Sequence, residues 1–300
     1  INVMKEFGTY FGKFERTDLS LTFRSEEKIT NQATDFIMQN EAQIPKAVSS
    51  IRKSQNPSVF ISFKKQSNKE ENFVDAQDHL SDILEHIASE AHKNHKPEVL
   101  VLGRYNLDTY NRVYSIDYKT ILVGMQKRFP DQNITFKTVH RSKGLEADYV
   151  IILEVVNDFL GFPNEQADDH ILDLVLAKAE AFSNSEERRL FYVALTRAKK
   201  KVFVSTTSGM TSEFVDELIQ SPFDCEIWGK QSASLPSCSK CVEGKLLLKT
   251  GEFGSFWGCN NHPYCEFRSS ACPHCKQGYP KLTADKRLIC DVCEQIVIAC

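Results

Sequence analysis

The chain has 300 residues, of which 41% are hydrophobic and 26% charged, a composition that suits about two globular units with buried cores. A formal net charge of −3 excludes a strongly basic nucleic-acid-binding domain, so any contact with nucleic acid must come from a local cluster of cations. The sequence has no signal peptide and no apolar run long enough to span a membrane, and we therefore expect a cytoplasmic protein without a membrane partner.

Short apolar or β-branched runs alternate with segments of helical periodicity through the first 225 residues. The strand candidates are residues 20–23, 58–63, 98–102, 134–139, 149–153 and 201–205. The helix candidates are residues 29–40, 76–94, 119–129, 171–181 and 186–199. This alternation predicts an α/β domain with a mostly parallel sheet covered on both faces. Because residues 150–153 are all apolar, they indicate a central strand buried on both sides.

The cysteines divide the chain by composition. None of the ten cysteines precedes Cys225, whereas nine lie between Cys238 and Cys300. This distribution predicts a first domain over residues 1–225, a linker over residues 226–236 and a cysteine-rich region after it. Cys225 and Cys300 do not fit the spacing of the other eight.

Those eight cysteines form two sets with the spacing of zinc ribbons. The first set is Cys238, Cys241, Cys259 and Cys265, and the second is Cys272, Cys275, Cys290 and Cys293. Four thiolates in paired turns are a typical tetrahedral zinc site, whereas a redox site needs a single Cys-x-x-Cys. We expect β-rich ribbons over residues 237–270 and 271–300, with two Zn²⁺ per chain. His262 and His274 could substitute as ligands but are not needed.

Aromatic and cationic side chains are interleaved in the first ribbon. They are Phe253, Phe256, Trp257, Tyr264 and Phe267 with Lys245, Lys249 and Arg268. Such a mixture suits stacking against unpaired bases. A domain of this size must also bury some of its rings, so we expect about two or three inside and one or two exposed. Phe256 and Trp257 are the candidates for contact with DNA.

Three segments of the first domain carry recognisable motifs. They are Leu-Thr-Phe-Arg-Ser at 21–25, Thr-Val-His-Arg-Ser-Lys-Gly-Leu-Glu at 138–146 and Tyr-Val-Ala-Leu-Thr-Arg-Ala-Lys at 192–199. These segments resemble motifs IV, V and VI of superfamily 1 DNA helicases of the UvrD/Rep type, with most similarity to the helicase IV branch. The resemblance implies that the first domain is a RecA-like helicase motor domain, the one called 2A.

The resemblance also implies roles for individual residues at an ATP site. Arg24 and Arg197 match the positions that reach the γ-phosphate. A guanidinium suits this catalytic role because it holds two phosphate oxygens and keeps its proton. Gly144 and Glu146 match the family's Gly-x-Glu, which binds the nucleotide through a carboxylate that accepts from the ribose hydroxyl.

Other positions of the motifs imply contact with DNA. Thr138, His140 and Lys143 match residues that lie near the single strand. Glu187 and Arg188 belong to motif VI and are expected to orient neighbouring side chains. In the tail, Gly254 to Cys259 followed by Cys265 resembles the topoisomerase-type C4 zinc finger, which implies binding of single-stranded DNA.

The phosphate loop of such a motor is missing from this sequence. The nearest match, Gly8 to Phe14, has three residues between its glycines instead of four, and Phe14 lacks the hydroxyl that binds magnesium. We therefore expect the C-terminal part of an ATP-dependent 3′–5′ DNA helicase, inactive alone. It would need ATP with Mg²⁺ and the missing N-terminal motor domain of the same protein. The alternative is a non-catalytic nucleic-acid-binding adaptor built on a RecA-like scaffold and zinc ribbons.

Overall fold

The structure is a computed structural model. It describes residues 6–41, 43–45, 47–54, 56–65, 71–91, 95–158, 160–164, 182, 184–229, 236–241, 246–251, 254–259, 265–275, 278–283, 287–290 and 293–297. The helix predicted over residues 171–181 lies outside these ranges, as do Phe253 and Tyr264.

A six-stranded sheet forms the centre of the first domain. Its strands are β3 (Val59–Lys64), β4 (Glu98–Gly103), β5 (Asn133–Thr138), β6 (Ala147–Ile152), β7 (Ala198–Thr207) and β8 (Glu226–Trp228). Their order is β5-β4-β6-β7-β3-β8, and every neighbouring pair is parallel. The predicted parallel sheet is therefore confirmed. Residues 150–152 of β6 are 0% exposed, as expected of a strand covered on both faces.

Helices cover both faces of this sheet. A short first helix, α1 (Phe7–Phe11), has no buried residue. The covering helices are α2 (Glu27–Met38), α3 (Asn72–Glu90), α4 (Leu107–Tyr114), α5 (Tyr118–Arg128), α6 (Ser185–Leu195) and α7 (Glu213–Gln220). Residues of α2, α6 and α7 form one core with the sheet, and residues of α3, α4 and α5 form the other. The predicted α/β architecture is confirmed, although α4 and α7 were not predicted because each has only eight residues.

Three phenylalanines join the helices of the first core. Phe36 of α2 lies 5.2 Å from Phe191 of α6 and 5.0 Å from Phe214 of α7, measured between ring centroids. All three rings are at most 1% exposed. Burying a side chain of this size contributes about 1.5–3 kcal/mol, so this contact fixes α6 against its neighbours.

The first predicted strand is real but belongs to a different sheet. Strand β1 (Leu21–Glu26) pairs in parallel with β2 (Ser49–Arg52) in a separate two-stranded sheet. Leu21 and Phe23 are exposed, whereas Ser25 is buried. The side chain of Arg24 leaves β1 on the face opposite to Phe23, because side chains alternate along a strand.

Helix α6 is shorter than its sequence pattern predicted. It ends at Leu195, and β7 begins at Ala198, where it pairs with Ala147 of β6. The Thr196 hydroxyl donates to the Tyr192 carbonyl at 2.9 Å, which satisfies one of the last helical carbonyls. Lys199 therefore lies on a strand and not on the predicted helix, since pairing with β6 outweighs the helical pattern.

Two small antiparallel units follow in the cysteine-rich region. The first has β9 (Leu246–Gly251), β10 (Gly254–Cys259) and β11 (Arg268–Ser270), in the order β11-β10-β9. The second is a pair of β12 (Pro280–Leu282) and β13 (Leu288–Cys290). Both agree with the prediction of small β-rich ribbons. Among the described helices, none is long and apolar enough to cross a membrane.

Candidate nucleotide site and thiol clusters

Residues of motifs V and VI meet at one edge of the sheet. Glu146 directly precedes β6, and Arg197 directly precedes β7, its parallel neighbour. The Ala147 N–H donates to the Arg197 carbonyl at 3.1 Å, so the two motifs are joined by the backbone at this point. Strand β1 lies against β7 and brings motif IV to the same edge.

Glu146 is the centre of a charged cluster at this edge. Its Oε2 accepts from Arg24 Nε at 2.9 Å, and its Oε1 lies 2.9 Å from Lys199 Nζ. These hydrogen bonds, first from Lys199 and then from Arg24, lower the pKa of the Glu146 carboxyl. The side chains of Arg24 and Glu146 are 35% and 43% exposed, so their ion pair contributes at most about 1 kcal/mol. The Arg24 guanidinium can therefore leave the Glu146 carboxylate for an anion of higher charge with little loss of free energy.

Arg197 is oriented by backbone carbonyls. Its Nε donates to the Val193 carbonyl at 3.0 Å, and its Nη1 donates to the Leu145 carbonyl at 3.2 Å. Burial, and next the Arg24 cation, lower the pKa of the Arg197 guanidinium. Two arginine cations that repel one another at a half-buried edge would both be stabilised by a bound anion.

Gly144 allows the chain to turn between motif V and β6. Its φ of +84° lies in the left-handed region, which favours glycine over residues with a Cβ. A side chain would meet no atom there, so the requirement is conformational and not steric. Gly144 therefore directs the chain toward Glu146.

The predicted DNA residues precede the nucleotide residues in the same segment. Thr138 ends β5, and its Oγ1 accepts from the Arg141 N–H at 3.4 Å, which caps the 3₁₀ helix Val139–Ser142. His140 and Lys143 are exposed. Because β5 and β6 run in the same direction within the sheet, residues 139–146 cross from the carboxyl edge to the amino edge. The predicted DNA and nucleotide residues are thus joined by one short segment.

Two ion pairs that the sequence did not reveal hold α6 in place. Arg188 is buried, donates to the Phe36 carbonyl at 3.2 Å and pairs with Glu217 of α7 at 2.7 Å. Arg104, which follows β4, makes a two-pronged pair with Glu187 at 2.7 and 2.9 Å. Glu187 and Arg188 therefore orient neighbouring elements, as expected from their place in motif VI.

A buried ion pair that the sequence did not reveal lies next to the core formed by α3, α4 and α5. Lys64 Nζ and the Tyr118 hydroxyl both lie 2.5 Å from Glu154 Oε1, and both charged side chains are 4% exposed. Glu154 has a φ of +51°, unusual for a residue with a side chain. Nearby, His79 Nε2 lies 2.9 Å from Ser205 Oγ. The residues are far apart in sequence, and no motif links them.

The eight predicted metal ligands converge as two separate clusters. Within each set of four cysteines, all sulfur atoms lie within 4.8 Å of one another. Cys238 lies 3.7 Å from Cys265, and Cys241 lies 3.5 Å from Cys259. In the second cluster the corresponding distances are 3.7 Å between Cys272 and Cys293 and 3.6 Å between Cys275 and Cys290.

These sulfur separations fit a tetrahedral metal. A Zn–S bond of about 2.3 Å places tetrahedral sulfurs about 3.8 Å apart. Backbone N–H groups also donate to the sulfurs, as from Gly278 to Cys275 at 3.2 Å and from Cys293 to Cys290 at 3.4 Å. Cys225 lies outside both clusters, with its sulfur 3.8 Å from the Leu218 carbonyl. Either cluster could hold a metal ion.

The two aromatic candidates of the first ribbon differ in exposure. Trp257 is only 7% exposed and packs among the cysteines of the first cluster, so its prediction as a DNA-stacking residue is corrected. A ribbon with so few apolar residues must bury its largest ring. Phe256 is partly exposed, with the Arg268 guanidinium 5.5 Å from its ring centroid. Phe256 therefore remains a candidate for stacking, whereas Phe267, also partly exposed, packs against the core of the first cluster.

Both parts of the chain are similar to known proteins. Residues 104–209 match the family model of the UvrD-like helicase C-terminal domain. DNA helicase IV of Escherichia coli is 33% identical over 214 residues, which are 71% of this chain and 28% of that protein. DNA topoisomerase 1 of Rickettsia bellii is 42% identical over 52 residues, 17% of this chain and 6% of that protein, in the C-terminal region.

A shorter match is also to a protein named as a helicase. A protein of Mycoplasma pneumoniae named "Probable DNA helicase II homolog" is 38% identical over 89 residues, which are 30% of this chain and 11% of that protein. The chain thus spans less than a third of the length of the curated relatives it matches. With its parallel α/β domain, its motif order and these similarities, the chain contains a UvrD-like helicase C-terminal domain.

Proposed function

We propose that this chain is the C-terminal part of an ATP-dependent 3′–5′ DNA helicase and forms one wall of its ATP site. The observation that carries the proposal is the meeting of Arg24, Glu146 and Arg197 at one edge of the sheet. These residues come from three segments, of which those of Arg24 and Glu146 are 122 positions apart, yet they lie together with the charges a nucleotide requires. The phosphate loop and magnesium ligands would come from the N-terminal motor domain of the same protein.

Charge determines how this wall would act on ATP. As the terminal phosphoryl group is transferred, negative charge spreads over its oxygens, and fixed cations there lower the barrier. Arg197 is held by two carbonyls and needs little reorientation. Arg24 would leave Glu146 for the phosphate, while Lys199 stays beside the carboxylate. Glu146 would then be free to accept a hydrogen bond from the ribose, and Gly144 would allow the approach.

The DNA track would involve the residues that precede the nucleotide site in the same segment. We propose that Thr138, His140 and Lys143 contact single-stranded DNA. Exposed polar and cationic groups of this kind position a nucleic-acid backbone without reading its sequence. Since residues 139–146 join these positions to Glu146, a displacement at the ATP edge would be transmitted to the DNA contacts. This link is the proposed basis of stepping along the strand.

The thiol clusters would form two zinc ribbons. We propose one Zn²⁺ at Cys238, Cys241, Cys259 and Cys265, and one at Cys272, Cys275, Cys290 and Cys293. A bound Zn²⁺ supplies the folding free energy that so small a core lacks. Phe256 with Arg268 would then offer a stacking surface for an unpaired base. The corresponding domain limits are residues 1–225, 226–236, 237–270 and 271–300.

Strand displacement by the full-length protein tests the proposal. With ATP and Mg²⁺, it should unwind a duplex with a 3′ single-stranded tail, and a 5′-tailed duplex of equal length is the matched control. The 300 residues alone should bind single-stranded DNA without hydrolysing ATP, because the chain contains no phosphate loop. A full-length protein that binds DNA but has no DNA-stimulated ATPase activity would instead support the adaptor.

A further inference from the structure

The two thiol clusters meet at one buried glycine. The Gly278 carbonyl accepts from the Cys272 N–H at 2.9 Å, and the Gly278 N–H donates to Cys275 Sγ at 3.2 Å. Gly278 therefore holds the turn that presents the first two sulfurs of the second cluster. The same carbonyl also accepts from the indole Nε1–H of Trp257 at 3.1 Å.

Trp257 belongs to the other ribbon. It lies in β10, two residues before Cys259, and packs in the core that contains three cysteines of the first cluster. Its ring also meets Tyr279 edge to face, with centroids 5.9 Å apart. One buried indole therefore contacts the surroundings of both clusters.

The chain passes between the ribbons without a spacer. Ala271 is 8% exposed within the first core, and its N–H donates to the Ser255 carbonyl at 3.3 Å. The next residue, Cys272, is 0% exposed within the second cluster. A displacement of either metal-binding turn must therefore displace the other turn.

We infer that the two clusters bind metal cooperatively and that Trp257 is the residue that couples them. This inference rests on the proposed zinc sites. Small ribbons order when metal binds, and ordering the Trp257–Gly278 contact restricts both ribbons at once. Binding of the first ion would incur most of that loss of conformational entropy. The second ion would then bind a cluster that is already ordered. Residues 237–300 then act as a single unit of folding and metal loading.

Metal titration of single-cluster variants measures the coupling. The metal-free, reduced chain is titrated with Co²⁺ alone, whose absorption reports thiolate ligation, and the complex is then competed with Zn²⁺. The intact chain is compared with Cys290→Ser/Cys293→Ser and with Cys238→Ser/Cys241→Ser. Each variant's remaining cluster should bind metal roughly 10-fold more weakly than in the intact chain, within the range usual for coupled sites. The two losses should be equal, because coupling between binding sites is reciprocal.

Variants at position 257 test the residue itself. Trp257→Phe keeps a ring but removes the donor to Gly278, whose carbonyl still accepts from Cys272. Both clusters should bind metal, with the coupling reduced to less than about threefold. The matched control is Leu282→Ser, an exposed position of β12 in the second ribbon, which should leave the coupling unchanged.

Tryptophan emission gives a second measurement that does not need Trp257→Phe to fold. The chain has two tryptophans, so Trp228→Phe leaves Trp257 as the only emitter. In the Cys238→Ser/Cys241→Ser variant, Zn²⁺ can bind only at the second cluster. Its binding should still shift the emission maximum of Trp257, although Trp257 belongs to the first ribbon.

The possible results distinguish a failure of the proposed coupling from a failure of the proposed zinc sites. An intact chain that binds no metal at either cluster would refute the zinc sites themselves. Two occupied clusters whose affinities do not depend on one another would leave the zinc sites standing and overturn the coupling. Full coupling in both Trp257→Phe and Trp257→Ala would overturn the assignment of Trp257.

Discussion

Single residues at the sheet edge carry the proposed chemistry, and their roles differ. Arg197 is fixed by the backbone, whereas Arg24 is held only by an exposed carboxylate. Lys199 was not predicted as a partner of Glu146, because its position was assigned to a helix. Its pairing follows from the start of β7 at Ala198, which turns the next side chain toward Glu146.

Substitution of Arg197 tests the proposed arginine finger in the full-length protein. Arg197→Ala should lower kcat for DNA-stimulated ATP hydrolysis by about 10³-fold or more, while nucleotide-free DNA binding changes little. Arg197→Lys should rescue poorly, because an ammonium lacks the planar fork. Arg128→Ala, at an exposed arginine of α5, is the matched control. A folded Arg197→Ala protein with near-normal turnover would exclude Arg197 from the mechanism.

Glu146 can be tested through the sugar of the nucleotide. Glu146→Gln should raise KM for ATP roughly 10-fold, the effect of losing a hydrogen bond to a charged acceptor. With 2′,3′-dideoxy-ATP the variant and the wild type should differ little, since the ribose hydroxyls are gone. Glu186→Gln, an exposed carboxylate at the start of α6, serves as the control. An equal loss with both nucleotides would show that Glu146 does not contact the ribose.

At the scale of elements, buried polar contacts fix how strands and helices meet. Arg188 joins α6 to α2 and α7, and Lys64 with Glu154 joins the end of β3 to the loop after β6. Removing one partner of such a buried pair leaves an unpaired charge and typically destabilises by about 3–5 kcal/mol. Arg188 thereby ties motif VI to its neighbouring helices.

His79 gives this region a pH dependence. Burial, and next the Lys64 cation, lower the pKa of His79 to about 4, while a histidine in the unfolded chain titrates near 6.5. Between those values the unfolded chain binds a proton that the folded chain does not. Stability should therefore fall as the pH drops through this window, by up to about 3 kcal/mol.

Denaturant unfolding at several pH values measures this slope. Trp228 emission in a Trp257→Phe background follows the α/β domain without a signal from the thiol clusters. His79→Gln should flatten the slope between about pH 4 and 6.5, whereas His140→Gln, at an exposed position, should preserve it. An unchanged slope in His79→Gln would assign the pH dependence to other groups.

At the scale of the whole molecule, the α/β domain and the cysteine-rich region differ in what stabilises them. The α/β domain has two extensive apolar cores, whereas the cores around the thiol clusters are small and include the cysteines themselves. We therefore expect the first domain to remain folded without metal, and the cysteine-rich region to need metal for its folding. Net charge offers no guide to DNA binding here, because the proposed contacts are local.

Metal content and chelation test this division. Protein purified under reducing conditions with metal supplied should contain two Zn²⁺ per chain by elemental analysis. Chelation should make the region after about residue 236 sensitive to protease while the α/β domain resists, because metal supplies the folding free energy of such ribbons. Cys225→Ser should not change the metal content, since Cys225 lies outside both clusters. A metal content of zero would contradict the zinc sites.

Sequence alone was sufficient where a pattern repeats locally. The parallel α/β architecture followed from alternating apolar runs, and the two thiol sets followed from Cys-x-x-Cys spacing. The order of motifs also indicated the helicase family whose C-terminal domain matches residues 104–209. These features need only near neighbours in the chain, because periodicity and ligand spacing are local properties.

Tertiary structure decided everything that depends on which distant segments meet. Only the fold shows that β1 pairs with β2, that β7 replaces the end of a predicted helix, and that Lys199 therefore reaches Glu146. The same holds for Trp257, which the sequence marks as a candidate for contact with DNA, with the core of the ribbon as the alternative. Its burial against Gly278 resolves that choice, because the apolar area removed from water depends on contacts that sequence spacing does not specify.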